Sequence, residues 1–331
     1  MTLPCHPSTR RRLLQAAGAA TALAALPGAL HAQAWPTRPL RVVVPFPPGG
    51  TTDFVTRLVC TELAKALGQP IVVENKPGAG TVIGVDNVAK SPPDGTSFVT
   101  VANSFAANVT LVKKLPYDPL KDLRPVALMG MSEHVLATHP GSGIKSVADL
   151  RAAARKGGGA LSYASFGNGT SAHLSGAALA QQMGLDLVHV PYKGQAPALT
   201  DLLGGQVTLM FGNWPEFRSH VQSGKLVAIG MATAKRSAYA PDIPTLTEQG
   251  VAIVSNSWNG LLAPGGTPDA VVQRMNAEVN RALASPPVVE AFQKGGIASL
   301  SGTPEQFAAF IRAEIEQYAA VIRKAGITLD T

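Results

Sequence analysis

The sequence predicts two α/β domains, each a mainly parallel sheet flanked by helices, with a cleft between them. Three observations carry that reading. Short β-branched runs alternate with helical segments, the rhythm of βαβ units. The runs are apolar throughout instead of alternating apolar with polar, as strands covered on both faces are. The chain also reads as two similar halves, each opening with a strand, a Gly-rich loop and a helix.

In the first half, strands are expected at 41–44, 71–73 and 98–101, and helices at 54–67 and 82–89. The helix at 54–67 shows the apolar pattern Phe54, Val55, Leu58, Val59, Leu63, Leu67, one face of a 3.6-residue period. In the second half the rhythm returns with strands at 160–164, 187–190 and 207–211 and helices at 170–183 and 197–203. Two later helices have start signals: Thr267-Pro268-Asp269 and Thr303-Pro304-Glu305-Gln306 each set a capping hydroxyl before a Pro, and the second adds a capping-box Gln. Residues 133–140 form the expected crossing between halves, and the return falls within 228–258. The expected domains are therefore 35–133 with 256–331, and 134–255, with hinge crossings near 131–137 and 228–258.

The first residues give the compartment. Arg10-Arg11-Arg12 precede an uncharged stretch at 13–30, and Ala32-Gln33-Ala34 follow. That order is a basic n-region, an apolar h-region and an A-x-A cleavage site. The stretch is rich in Ala and Gly, is broken by Pro27-Gly28, and barely reaches the roughly 20 residues of a spanning helix. Residues 9–15 also resemble the twin-arginine export signal. Cleavage near Ala34 would release a chain beginning at Trp35 into the periplasm. Removing 34 of 331 residues leaves 297, enough for two ordinary domains. Three of the 28 basic residues and none of the 21 acidic ones leave with the signal, so the remainder carries +4. Its basic residues are scattered and aromatics are sparse, which gives no nucleic-acid or membrane footprint. Cys5 lies in the signal; Cys60, the remaining thiol, sits in a helical apolar pattern and reads as a small buried hydrophobe.

Two loops carry the candidate chemistry. The first runs from Phe46 through Pro47, Pro48, Gly49, Gly50, Thr51 and Thr52 to Asp53. The second runs from Ser165 through Phe166, Gly167, Asn168, Gly169, Thr170, Ser171 and Ala172 to His173. Each puts glycines and hydroxyls at a helix N-terminus, where backbone N–H groups lack partners and the dipole is positive. Such loops seat anions, and neither contains Lys or Arg, so amides and hydroxyls would do the holding. Either loop alone could be a plain tight turn with a cap; one in each half points to a shared cleft. Asp53 either favours the dipole of its first helical turn or touches ligand. His173 either donates to a carboxylate or is a satisfied structural histidine. Trp258 either lies near the hinge and cleft mouth or is an ordinary core aromatic.

Enzyme patterns are weak. Gly167-Asn168-Gly169-Thr170-Ser171-Ala172 fits a dinucleotide fingerprint, but the following strand ends Val188-His189-Val190-Pro191 without an acidic residue for a ribose. There is no P-loop or G-x-S-x-G elbow, and His134 and His139 lack the i, i+4 spacing of a zinc pair. A triad of distant residues, as in a secreted α/β hydrolase, stays open because triads are defined by geometry. No cofactor or metal is expected.

At these same residues the chain resembles the Bug family, the extracytoplasmic receptors of tripartite tricarboxylate transporters. Phe46-Pro47-Pro48-Gly49-Gly50-Thr51-Thr52-Asp53 is followed by Val73-Glu74-Asn75-Lys76-Pro77-Gly78-Ala79-Gly80, Pro93-Asp94-Gly95 and Leu115-Pro116-Tyr117-Asp118-Pro119. Then come Gly169-Thr170-Ser171-Ala172-His173-Leu174, Val190-Pro191-Tyr192-Lys193-Gly194 and Trp258-Asn259-Gly260-Leu261-Leu262-Ala263-Pro264. The resemblance implies a type II-like periplasmic-binding-protein fold whose two domains close on a small organic acid. It implies that the two loops hold the ligand carboxylate, partly through ordered water, with Asn103 and Ser104 facing the same cleft. It implies membrane permease subunits as partners, although a sensor that feeds a signalling protein would look the same; a monomer is expected. The chain departs from the pattern at Thr81, where Gly often stands, at Ala177, where an acidic residue is common, and at Thr208 in place of a frequent Asp.

Overall fold

The computed structural model describes residues 35–156 and 161–328 of the chain. The expected signal and its cleavage site fall at 1–34, outside the described residues. Residues 35–37 carry no helix or strand; the folded body described below begins at Arg38.

The first half opens with β1 (Leu40–Val44), α1 (Thr51–Leu67), β2 (Ile71–Asn75), α2 (Val82–Ala89), β3 (Ser97–Val101) and α3 (Asn103–Leu111). β4 (Leu123–Thr138) then leads through α4 (Val147–Arg155) to β5 (Leu161–Ser165), α5 (Ser171–Met183), β6 (Leu187–Pro191), α6 (Gln195–Leu203), β7 (Leu209–Asn213), α7 (Trp214–Gln222) and β8 (Val227–Met231). The chain returns with β9 (Asn256–Pro264), α8 (Asp269–Leu283), α9 (Pro286–Gly295), β10 (Ile297–Ser299) and α10 (Pro304–Ala325).

The strands order as β2-β1-β3-β9-β4-β7-β5-β6, with β8 and β10 also pairing β4. β1 lies parallel between β2 and β3, and β5 lies parallel between β6 and β7. These two triplets are the βαβ units legible in the sequence, and β1, β3 and β7 are buried along almost their whole length. β9 and β4 run antiparallel to their neighbours because they carry the chain across and back, so the complete sheet is mixed rather than mainly parallel. β4 serves both halves: residues up to Glu133 pair with β9 or β10, and residues from His134 on pair with β7 and β8. Glu133 pairs with Asn256, the first residue of β9, so the outward and returning crossings lie side by side.

Each half has its own core. One gathers Val43, Val99, Phe105, Trp258, Leu262, Phe307 and Ile311; the other gathers Leu136, Leu150, Tyr163, Leu179, Leu202, Phe211 and Phe217. Phe307 and Ile311 belong to α10, so the C-terminal helix covers the first half as its apolar stripe requires. Cys60 is buried and its thiol is pushed up to about 12 by desolvation, consistent with a packing role.

Two local expectations change. Thr267 does not cap α8: Pro268 is the cap residue, and the Thr267 hydroxyl is buried without a partner. Phe54 belongs to the sequence pattern of α1 but is exposed, since the helix starts at Thr51 and turns that position outward. At Thr303 the capping box forms as expected, with both reciprocal bonds present.

Candidate ligand cleft

Five helices begin at one place. β1, β3, β5, β6 and β7 each run into a helix within a few residues of their carboxyl ends, and those helices, α1, α3, α5, α6 and α7, start around one cleft. Open α/β sheets bind ligands at such strand ends. The cleft has an empty volume of about 520 Å³, its open mouth included. Gly50, Thr51, Thr52 and Asp53 line it from the start of α1, and Asn103 and Ser104 from α3. Thr170 and Ser171 do so at α5, Gln195 and Ala196 at α6, and Asn213 at the cap of α7. Phe46, Pro47, Pro48 and Phe166 give it apolar walls. No Lys or Arg is among the lining residues. First-turn amides and aligned helix dipoles give such helix starts a partial positive charge.

The first loop is tied by an ionic device. Asp53 accepts from Gly49 N at 3.1 Å, Arg57 Nε at 2.9 Å and Asn75 Nδ2 at 2.9 Å. Burial works to raise its pKa, but the bonds from Arg57, Asn75 and Gly49 outweigh that and hold the carboxyl below its ordinary value. Asn75 also donates to Phe46 O at 3.0 Å, closing the loop on itself.

The second loop is tied by neutral rings. Gly169 N donates to His173 Nδ1 at 3.2 Å. The His173 ring stacks on His189 with centroids 4.0 Å apart, and His189 stacks on Tyr163 at 4.9 Å. His189 Nε2 meets Ser165 Oγ at 2.7 Å. Desolvation lowers His173 to about 4, and desolvation with His173 beside it lowers His189 to about 3, so both rings are neutral near pH 7. Thr170 does not cap α5; its hydroxyl donates to Gly167 O at 2.7 Å.

Of the expected site residues, the structure brings Phe46, Gly50, Thr51, Thr52, Asp53, Asn103, Ser104 and Thr170 to the cleft lining. Gly49, Ser165, Gly169 and His173 support the loops from behind, and Gly167 and Asn168 face a neighbouring groove. Trp258 is fully buried in the core of the first half, with Phe307 and Phe310 edge-on at 6.1 and 5.3 Å and its Nε1 donating to Glu314 at 2.6 Å. Its backbone N–H is held by Asn103 Oδ1 at 3.1 Å, and Asn103 Nδ2 donates to Tyr318 Oη at 2.7 Å. The Asn103 side chain therefore fastens the cleft to the core.

Sequence reasoning missed the residues of α6 and α7. Asn213, immediately before α7, makes no side-chain cap bond and donates through Nδ2 to Thr51 Oγ1 at 2.9 Å. Glu216 Oε1 accepts from Thr51 N at 2.6 Å and Thr51 Oγ1 at 2.5 Å, across the two halves. Burial pushes the Glu216 carboxyl up to about 7, opposed by bonds from Thr51 and Gln195. A signal was present: Gly194-Gln195 and Asn213-Trp214-Pro215-Glu216 repeat the grammar of a strand end before a helix start.

A sequence profile of the tripartite tricarboxylate transporter family receptor matches residues 55–327. Protein BugT of Bordetella pertussis is 37% identical over 321 residues, covering 96% of this chain and 98% of BugT. The chain belongs to this receptor family. Solved structures agree with the fold. A Rhodopseudomonas palustris protein with adipate superposes with a TM-score of 0.85 at 34% identity, covering 89% of this chain and 99% of that one. MatC of the same organism, with bound malate, gives 0.83 at 33% identity over 87% and 100%. Membership makes this chain a solute-binding receptor. Among the described residues no helix is long and apolar enough to cross a membrane, and no cluster of three or more His, Cys, Asp or Glu could hold a metal.

Proposed function

We propose that this receptor captures a small carboxylate in the cleft where α1, α3, α5, α6 and α7 begin, and delivers it to the permease subunits of a tripartite tricarboxylate-type transporter. One observation carries the reading: five helix N-termini converge on a cleft whose lining holds no basic side chain. An anion there is held by backbone amides and by the hydroxyls of Thr52, Ser104 and Ser171. The family neighbours solved with adipate and malate support a carboxylate as the ligand.

The working domains are residues 35–133 with 256–331, and residues 134–255. The switch of β4 pairing between Glu133 and His134 supports that division, as does the start of β9 at Asn256. The protein acts as a monomer in the periplasm after cleavage near Ala34. The Ser165–His189 pair offers no hydrolase: Ser165 is fully buried, and its partner ring is packed between His173 and Tyr163.

The test is calorimetric titration of the chain from Trp35 with short carboxylic acids and, in parallel, with the amides of the same acids. Binding of acids, with amides at least tenfold weaker, is the expected result. Equal binding of acid and amide, or hydrolysis of a supplied ester at the cleft, would sink the proposal.

A further inference from the structure

The turn that enters α2 carries backbone strain that no local bond offsets. Ala79 and Thr81 adopt φ of +46° and +84°, with Gly80 between them at +61°. A β-branched residue in the left-handed region is an outlier, and such residues persist where the surrounding structure holds them. Thr81 stands at the N-cap position of α2, yet its side chain makes no cap bond. Its hydroxyl turns instead towards α3, where Thr81 Oγ1 and Ser104 Oγ lie 3.0 Å apart and both residues are buried. Ser104 lines the cleft from the first turn of α3, and Thr81 does not line it. Behind Thr81, Asn108 donates through Nδ2 to Gly80 O at 2.8 Å and reaches Thr81 Oγ1 at 3.5 Å. A carbonyl only accepts, so Gly80 O fixes which end of the Asn108 amide faces the turn.

These bonds set a direction. Thr81 Oγ1 has a donor on one side, and among the described residues Ser104 Oγ is the partner able to accept its proton. Once Thr81 donates to Ser104, the Ser104 proton is left over, and the space that Ser104 lines is the cleft. An ionised carboxylate accepts and never donates, so it needs the Ser104 hydroxyl in that orientation. A hydroxyl that itself receives a hydrogen bond is also the stronger donor.

We propose that Thr81 is a positioning residue for the ligand carboxylate: it donates to Ser104 and so holds the Ser104 hydroxyl as a donor into the cleft. The inference rests on the carboxylate-receptor reading and deepens it. Glycine would meet the backbone requirement at this position without strain; the hydroxyl is what glycine does not supply.

The test is calorimetric titration of the chain from Trp35 with short carboxylic acids, malate and adipate among them. The acid that the wild type binds tightest is then titrated into Thr81→Gly, Thr81→Ser, Ser104→Ala and the Thr81→Gly, Ser104→Ala double variant, each with its folding verified by circular dichroism. Thr81→Gly relieves the strain but removes the hydroxyl, and should weaken binding about fivefold. Thr81→Ser keeps the hydroxyl and should stay within about twofold of the wild type. Ser104→Ala should weaken binding about tenfold, as the loss of a hydrogen bond to a charged group does. Adding Thr81→Gly to Ser104→Ala should then change affinity by less than about twofold, because residues that act through one bond are not additive. Wild-type affinity in Thr81→Gly, an equal loss in Thr81→Ser, or losses that add in the double variant would each overturn the inference and leave the receptor reading intact. No binding of any acid by the wild-type protein tells against both together.

Discussion

The two loops that flank the cleft reach one geometry by different chemistry. At the first, a buried carboxylate gathers a backbone amide, a guanidinium and a side-chain amide, and its ionised state holds the turn before α1. At the second, a neutral imidazole accepts one amide and is fixed by stacking on a second imidazole, which in turn rests on a tyrosine. Both leave first-turn amides facing a cleft without Lys or Arg. The position of the helix N-terminus is therefore what the fold maintains, and charged or neutral supports serve equally. They differ in tolerance: Gly49 at φ +91° has no atom within 4 Å of an added Cβ, whereas at Gly169, φ +75°, the Cβ would lie 3.0 Å from Asn108 Oδ1 and Leu111 Cδ1.

That contrast gives the largest expected effect. Gly169→Val should lower unfolding stability by about 3 kcal/mol, combining left-handed strain with overpacking. Gly49→Val should lose about half of that, from backbone strain alone. Urea denaturation of both variants measures the difference; equal losses would mean that the two loops are equally tight. Next, Asp53→Asn should cost about 2 kcal/mol, because it weakens a charge-assisted acceptor that three donors share. His173→Phe keeps the stack and orphans only the Gly169 amide, so it should cost about 1 kcal/mol.

The loops should also separate by pH. The folded-state pKa values of His173 and His189 are lowered to about 4 and about 3, below the ordinary value of 6.5. The unfolded chain therefore takes up protons that the folded chain refuses as pH falls from 6.5 towards 4. Stability is present in full above 6.5 and is lost through that window, on the order of 1 kcal/mol per ring by pH 5. Fully buried His134, lowered to about 4, adds to the same loss. Asp53 is lowered from 3.8, so its contribution survives to pH 4 and fades only below. Thermal unfolding at pH 7 and pH 5 should show a smaller loss in His173→Phe than in the wild type and an unchanged loss in Asp53→Asn. The smallest effect belongs to the cations: Lys193→Ala, outside the cleft lining, should change carboxylate affinity by no more than about twofold, in keeping with ordinary surface substitutions. A tenfold loss in titration would show that a basic side chain shares in holding the anion.

The sequence by itself determined what depends on near neighbours in the chain. Apolar runs bounded by Gly and Pro located β1, β2, β3, β5, β6 and β7 to within a few residues, the 3.6-residue period located α1 and α5, and Thr303 with Gln306 marked the start of α10. The two loops could be read because a helix N-terminus announces itself in consecutive residues. The tertiary structure decided the rest. β4 was not legible as a 16-residue strand because Pro125, Gly130 and two register shifts break its period, and its length is set by pairing with β9, more than a hundred residues away. Glu216 looks like an ordinary first-turn acid; only the fold, which brings it against Thr51 165 residues earlier, makes it a tie between the two halves. Trp258 and His173 could each be read as ligand contact or as support. Burial against Phe307 and Phe310, and the bond from Gly169, made them supports. Local chemistry fixes which amides are free; distant packing fixes which of them face the same space.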